Sequence, residues 1–124
     1  MSSIRIRHVH LSVADQARSV AFYSEAFGME EQFRHGEIVF MTTPGGGDSL
    51  ALHLATTDDE RARVGSQGGL EHFGIHLRDR SPAAVDRAVE LVEKAGGRLL
   101  DRGEHAPGVP YAYVADVDGY AIEL

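Results

Sequence analysis

The order of structural elements in the first half of this 124-residue chain is repeated in the second half. In each half, an alternating apolar run typical of a strand is followed by a helix pattern and then by three more strand patterns. A polar, glycine-containing stretch at 56–69 is predicted to link the two halves. The expected strands are 4–13, 30–35, 37–43, 49–54, 71–78, 98–103, 110–115 and 119–124. The expected helices start at Asp15 and at Ser81–Pro82, and they end at Gly28 and at Gly96–Gly97.

The two halves also align residue by residue. The alignment matches 8–13 with 72–77 and 48–54 with 118–124. It makes His8 equivalent to His72 and His53 equivalent to Glu123. Because successive strand side chains point to opposite faces, His53 and Glu123 should lie opposite the apolar face that packs on the helices. A lone strand histidine is usually structural, but two equivalent pairs of metal-capable side chains favour a metal site.

The amino-acid composition limits which atoms could bind a metal and which classes of partner the protein could have. The chain has no cysteine, so any metal ligands must be nitrogen and oxygen atoms. Its net charge of -7 argues against nucleic acid as a partner. No apolar run approaches the ~18 residues of a membrane span, and the N-terminus lacks the apolar stretch of a secretory signal. We therefore expect a cytoplasmic protein that acts on a small molecule, with neither nucleic acid nor membrane as a partner.

Four segments resemble the vicinal oxygen chelate superfamily, which includes glyoxalase I, the bleomycin- and fosfomycin-resistance proteins and the extradiol dioxygenases. They are HVHLSVAD at 8–15, FYSEAFGM at 22–29, EHFGIHL at 71–77 and ADVDGYAIEL at 115–124. The resemblance implies an α+β domain over 1–124, in which two βαβββ modules (about 4–55 and 70–124) form a cup-shaped, eight-stranded mixed sheet with the helices outside. It places the metal ligands on His8, His72 and Glu123, with a more variable fourth position on His53.

A second motif resembles the extradiol dioxygenase signature. It comprises Gly103-Glu104-His105, Ala112-Tyr113, Asp116-Val117-Asp118-Gly119 and Glu123, with Ala112 and Val117 departing from the pattern. Two histidines and one carboxylate form the facial triad suited to Fe(II) oxygenases. The resemblance then implies cleavage of a catechol-like substrate. In that mechanism His53 is an acid/base, His105 a hydrogen-bond partner of the oxygen species and Tyr113 a partner of a substrate oxygen.

Two rival functions remain open. If His53 is a fourth ligand, the set resembles that of a glyoxalase I-like lyase or of a thiol transferase that uses Ni, Zn or Mn. In glyoxalase I the metal acts on a thiohemiacetal as a Lewis acid without redox chemistry. The third possibility is an antibiotic-binding resistance protein without catalysis.

Family members of this length imply a homodimer, in some cases with His8 of one chain joining His72 and Glu123 of another. Two of these residues have alternative interpretations without a functional role. Tyr113 could be an ordinary tyrosine in a strand, and His105 could be an exposed histidine in a loop. We expect His10 and His76 to line the pocket and His35 to lie at the surface.

Overall fold

A computed structural model of the chain describes residues 6–65 and 69–124. The first module consists of β1 (Val9–Val13), α1 (Gln16–Phe27), β2 (Glu30–His35), β3 (Ile38–Thr42) and β4 (Leu50–Leu54). A short helix, α2 (Asp58–Ala62), follows it. The second module consists of β5 (Phe73–Gly74), α3 (Pro82–Lys94), β6 (Arg98–Ala106), β7 (Val109–Ala115) and β8 (Ala121–Glu123). The predicted βαβββ repeat is therefore confirmed.

Both long helices begin and end where the sequence predicts. The Asp15 side chain accepts a hydrogen bond from the backbone N–H of Arg18 and caps α1, and Gly28 ends that helix at φ 70°. The Ser81 side chain caps α3 in the same way, and Pro82 occupies its first turn.

The strands form two four-stranded sheets, and the α+β class is confirmed. The first sheet has the order β1-β4-β3-β2 and the second the order β5-β8-β7-β6. In each sheet the pair that contains the module's first strand is parallel, and the other pairs are antiparallel. The eight strands are thus divided equally between two sheets.

The two long helices pack on one face of each sheet and on each other. α1 packs on β3, β4 and α3, and α3 packs on β6 and β7. The approach is close: a Cβ added to Gly97, just beyond α3, would lie 2.8 Å from Cε1 of Phe22 in α1. One apolar cluster contains buried residues of both modules. Each sheet buries one face against a single helix, and the apolar side chains on the other side of that helix are buried against the other module. The opposite face of each sheet, here called its outer face, points away from the helices.

Several boundaries differ from the sequence prediction; among the described residues, β1 begins only at Val9 and β8 is limited to Ala121–Glu123. The segment predicted as a linker contains α2, which the Thr57 side chain caps by accepting from the backbone N–H of Glu60. β5 has only two residues instead of 71–78, because its one partner, β8, has only three. β6 extends to Ala106 instead of ending at residue 103, and the hairpin turn that follows it contains Gly108 at φ 81°. Residues 4–5 of the predicted first strand and residues 66–68 of the predicted linker lie outside the described residues.

Buried polar contacts tie the modules together. The Tyr23 hydroxyl donates to Oδ2 of Asp116 at 2.5 Å, and both residues are almost fully buried. The Ser19 hydroxyl donates to Asp118, and the Tyr120 hydroxyl donates to the carbonyl of Ser12 at 2.7 Å. Burial raises the pKa of both Tyr23 and Asp116. The turn at 116–119 therefore also joins the second sheet to the start of α1.

Candidate metal centre

His72 and Glu123 meet on the outer face of the second sheet. Nε2 of His72 lies 3.2 Å from Oε1 of Glu123, and the two side chains keep 37% and 29% of their exposure. Neighbouring Ile122 and Leu124 point into the core, as strand alternation predicts. With metal–ligand bonds of about 2.1 Å, adjacent ligands of one tetrahedral or octahedral ion lie roughly 3.0–3.4 Å apart. The spacing of this pair therefore fits a divalent cation.

His105 holds the second oxygen of the Glu123 carboxylate. The sequence predicted a loop at this position, but the structure places His105 in β6 at an irregularity between Glu104 and Ala106. Such bulges redirect side chains, and Nε2 of His105 lies 2.7 Å from Oε2 of Glu123. The hydrogen bond with His105 is the main reason that the pKa of the Glu123 carboxyl is lowered.

Two residues that the sequence analysis missed hold His105. Its ring stacks on Tyr111 with centroids 4.4 Å apart. The Tyr111 hydroxyl donates to Asp101 at 3.2 Å. Both residues belong to the β6–β7 hairpin, where Asp101 pairs with Tyr113 and Gly103 with Tyr111. This pairing register was the missing signal, because Asp101 and Tyr111 flank the dioxygenase-like motif without belonging to it.

Tyr113 lies beside both members of the His72–Glu123 pair. Its ring meets that of His72 edge-on at a centroid distance of 5.0 Å. Tyr113 also pairs directly with Glu123 across β7 and β8. Burial, followed by the charge of Glu123, raises the pKa of the Tyr113 hydroxyl. The hydroxyl is therefore a proton-bearing group next to the carboxylate.

His53 and His10 form a second pair on the outer face of the first sheet. Nε2 of His10 lies 3.0 Å from Nδ1 of His53. Burial lowers the pKa of His10, and the neighbouring His53 lowers it further. The core-facing neighbours Leu11, Val13 and Leu52 are buried, as predicted. Both histidines therefore lie on the face expected for ligands.

His8 lies just before β1, at the rim of a cavity of about 390 Å³. The rings of Phe33 and Phe40 stack on each other at 4.5 Å and line this cavity. His76 lines a different cavity of about 540 Å³ beside α1 and α3. His35 is exposed at the end of β2.

The candidate ligands are divided between the two outer faces. Within residues 6–65 and 69–124, no three His, Asp or Glu side chains form a group that could hold a metal ion. The structure brings His72, Glu123, His105 and Tyr113 together on one sheet, and His10 with His53 on the other. The complete set of His8, His72, Glu123 and His53 stays a prediction.

Comparison with known proteins places this arrangement in a family. A chloroplastic protein of Arabidopsis thaliana named as a probable lactoylglutathione lyase is 29% identical over 97% of the chain, which spans only 35% of that protein's length. A glyoxalase-related enzyme from Fulvimarina pelagi is 29% identical with a TM-score of 0.71, and the alignment covers 96% of this chain and 85% of that one. A lactoylglutathione lyase from Agrobacterium tumefaciens shares the fold, with 23% identity, a TM-score of 0.70 and coverage of 98% and 92%.

No helix in the described part of the chain is long and apolar enough to cross a membrane. The family model matches residues 5–124, and the chain therefore belongs to the Glyoxalase/Bleomycin resistance protein/Dioxygenase superfamily.

Proposed function

We propose that this protein is a metal-dependent lyase of the glyoxalase type that acts on a thiohemiacetal. The observation that carries the proposal is the pair of Nε2 of His72 and Oε1 of Glu123, 3.2 Å apart on an exposed sheet face. The relative from A. thaliana, named as a lactoylglutathione lyase, supports the lyase over the dioxygenase that the second motif favoured.

The donor set suits a divalent ion of intermediate softness. His72 supplies one nitrogen and Glu123 one oxygen. The His10–His53 pair of the first sheet supplies imidazole nitrogens. The chain has no cysteine that could add a sulfur ligand. Imidazole-rich sites of this kind suit Zn or Ni, whereas Mn prefers carboxylate and other oxygen ligands. When bound, the ion would act as a Lewis acid that polarises the substrate oxygens.

We propose that two copies of the chain complete the site. The His10–His53 pair and the His72–Glu123 pair lie on different sheets, each on the face opposite the buried core, and the described residues bring no three ligating side chains together. A symmetric dimer would place the first sheet of one copy over the second sheet of the other, and so form two equivalent sites. The face that carries His10 and His53 in one copy then meets the face that carries His72 and Glu123 in the other.

The chain's own groups supply the proton chemistry. Glu123 has a lowered pKa, so it is ionised at neutral pH and can accept a hydrogen bond or a proton. Tyr113 carries a hydroxyl proton next to that carboxylate, within reach of charge that develops on a substrate oxygen. Both groups are suited to moving a proton between neighbouring carbons of a thiohemiacetal.

A specific observation favours the dioxygenase as the second candidate. His105 and Tyr113, two residues of the dioxygenase-like motif, both lie beside Glu123. In that function iron would replace nickel or zinc, and oxygen would be consumed with a catechol.

An anaerobic assay separates the candidates. Protein loaded with Ni²⁺ or Zn²⁺ is given the thiohemiacetal of glutathione and an α-oxoaldehyde, and thioester formation is followed by absorbance. We expect turnover without oxygen, its loss in Glu123→Gln, and its retention in His35→Gln, which changes an exposed histidine. Oxygen-dependent loss of a catechol by the Fe(II) protein, with no thioester formed, would contradict the lyase. Tight drug binding that persists after chelation would instead support a binding protein.

A further inference from the structure

Gly103 leaves room for a tyrosine ring that lies across the β6–β7 hairpin. Gly103 pairs with Tyr111 in this hairpin. A Cβ added to Gly103 would lie 2.8 Å from the hydroxyl oxygen of Tyr111 and 3.0 Å from its Cζ. Carbon atoms in favourable contact lie about 3.5–4.0 Å apart, so a side chain at position 103 would displace the ring. The φ of Gly103 is not positive, and the glycine is therefore needed for space rather than for backbone conformation.

Tyr111 is held at its hydroxyl and contacts a histidine with the face of its ring. The hydroxyl donates to Oδ2 of Asp101 at 3.2 Å. The ring stacks on His105, with centroids 4.4 Å apart and an angle of 23° between the planes. Tyr111 is only half-buried and lies outside the apolar core. Its side chain therefore contributes more to the placement of His105 than to the interior of the fold.

The imidazole that Tyr111 contacts is the one that orients the Glu123 carboxylate. Nε2 of His105 lies 2.7 Å from Oε2 of Glu123, whereas Oε1 faces Nε2 of His72 at 3.2 Å. Hydrogen bonds weaken steeply as their angle departs from linear, so the plane of the His105 ring determines the strength of this contact. The His105 side chain is 49% exposed, so burial alone does not fix its conformation. Stacking on Tyr111 supplies that restraint.

We infer that Tyr111 is a positioning residue, which acts through His105 to hold the Glu123 carboxylate in place for metal binding. Asp101 anchors the Tyr111 hydroxyl, and Gly103 provides the space for the ring. The inference deepens the proposed metal-dependent function and rests on it. In this role Tyr111 touches neither the metal nor the substrate.

A double-mutant cycle at positions 103 and 111 tests this role. Ni²⁺ affinity is measured by titration calorimetry on the wild-type protein and on Gly103→Ala, Tyr111→Ala and the double variant. We expect each single substitution to weaken Ni²⁺ binding by about 10–100-fold, because both remove the stack on His105. In the double variant the added methyl group has no ring to displace, so binding should be no weaker than in Tyr111→Ala. Tyr111→Phe keeps the stacked ring and should lose less affinity than Tyr111→Ala.

The metal-free protein gives a second readout that a merely structural role would not change. The ¹⁵N chemical shift of Nε2 of His105 depends on the hydrogen bond that this atom makes with Glu123. We expect the shift to move in Gly103→Ala and in Tyr111→Ala, and to stay near the wild-type value in Tyr111→Phe. The Nε2 signal of the exposed His35 should stay unchanged in all of them.

The outcomes separate the inference from the proposed function. A double variant whose loss of Ni²⁺ affinity is the product of the two single losses would overturn the inference alone. Wild-type Ni²⁺ affinity and an unmoved Nε2 signal in Tyr111→Ala would do the same. Wild-type protein that binds neither Ni²⁺ nor Zn²⁺, with the Nε2 signals moved as expected, would overturn the proposed metal site alone. If Tyr111→Ala does not fold, as judged by circular dichroism, Tyr111→Leu takes its place.

Discussion

Nε2 of His72 lies 3.2 Å from Oε1 of Glu123, across the parallel strands β5 and β8 of the second sheet. The other carboxylate oxygen is 2.7 Å from Nε2 of His105. The two oxygens of Glu123 therefore have different partners. One faces the imidazole that would share a metal with it, and the other is fixed by the β6–β7 hairpin.

Removal of the His105 donor should weaken metal binding. His105→Phe keeps an aromatic ring to stack on Tyr111 but leaves Oε2 of Glu123 without its hydrogen bond. We expect the Ni²⁺ affinity to fall by about 10–100-fold, the usual effect of losing a group that orients a ligand. Titration calorimetry measures this, with His35→Phe as the control at an exposed histidine. An unchanged affinity in His105→Phe would show that Glu123 needs no such support.

The Tyr23–Asp116 hydrogen bond should contribute to stability. Tyr23→Phe leaves the buried Asp116 without the hydroxyl that donates to its Oδ2. We expect the free energy of unfolding in urea to fall by about 1–3 kcal/mol, because a buried acceptor loses its partner. Tyr111→Phe removes a more exposed hydroxyl and should change stability by less than about 0.5 kcal/mol. Equal effects of the two substitutions would contradict this role for the buried bond.

Stability should also fall at alkaline pH because of Tyr23. Its pKa is raised in the folded protein, mainly by burial and then by Asp116. Above pH ~10 the unfolded chain releases this proton while the folded chain keeps it, so folding loses about 1.4 kcal/mol per pH unit. Urea unfolding between pH 9 and 11 should show a shallower decline in Tyr23→Phe. An identical slope in wild type and variant would argue against the raised pKa.

The close packing of the modules predicts a strong effect at Gly97. An added Cβ would lie 2.4 Å from the carbonyl oxygen of Ala115 and 2.8 Å from Cε1 of Phe22. We expect Gly97→Ala to destabilise the fold by about 1–3 kcal/mol through overpacking. Gly74→Ala is the control, since its nearest neighbour would be the carbonyl oxygen of Glu123 at 3.7 Å. Thermal unfolding compares the two variants, and a Gly97→Ala protein as stable as wild type would refute the close packing.

The sequence predicted the elements of the fold well because their signals are local. Asp15, Gly28 and Ser81 mark helix ends by their own hydrogen bonds and backbone angles. The packing of the two modules on each other depends on contacts between distant segments, such as Phe22 with Gly97, which no local pattern encodes.

The site could be predicted only in part for the same reason. Strand alternation correctly assigned His53 and Glu123 to the outer faces. Alignment of the two halves made His8 the counterpart of His72, but strand register is set by tertiary pairing, and the parallel pairs of the two sheets differ in register by two residues. The hairpin pairing of Tyr111 with Gly103, which brings the Tyr111 ring to His105, is likewise set by tertiary structure and not by the motif.

The most direct test of the central claim, a metal site shared between two copies, is Ni²⁺ binding by mixed dimers. His53→Ala and Glu123→Ala chains are co-expressed with different affinity tags, and the bound Ni²⁺ is compared with that of each variant alone. In a mixed dimer one site combines the intact His53 of one chain with the intact Glu123 of the other. The account therefore predicts that the randomly mixed protein recovers about a quarter of the wild-type Ni²⁺, whereas each variant alone binds little. Binding in the mixture no greater than in the separate variants would contradict a shared site.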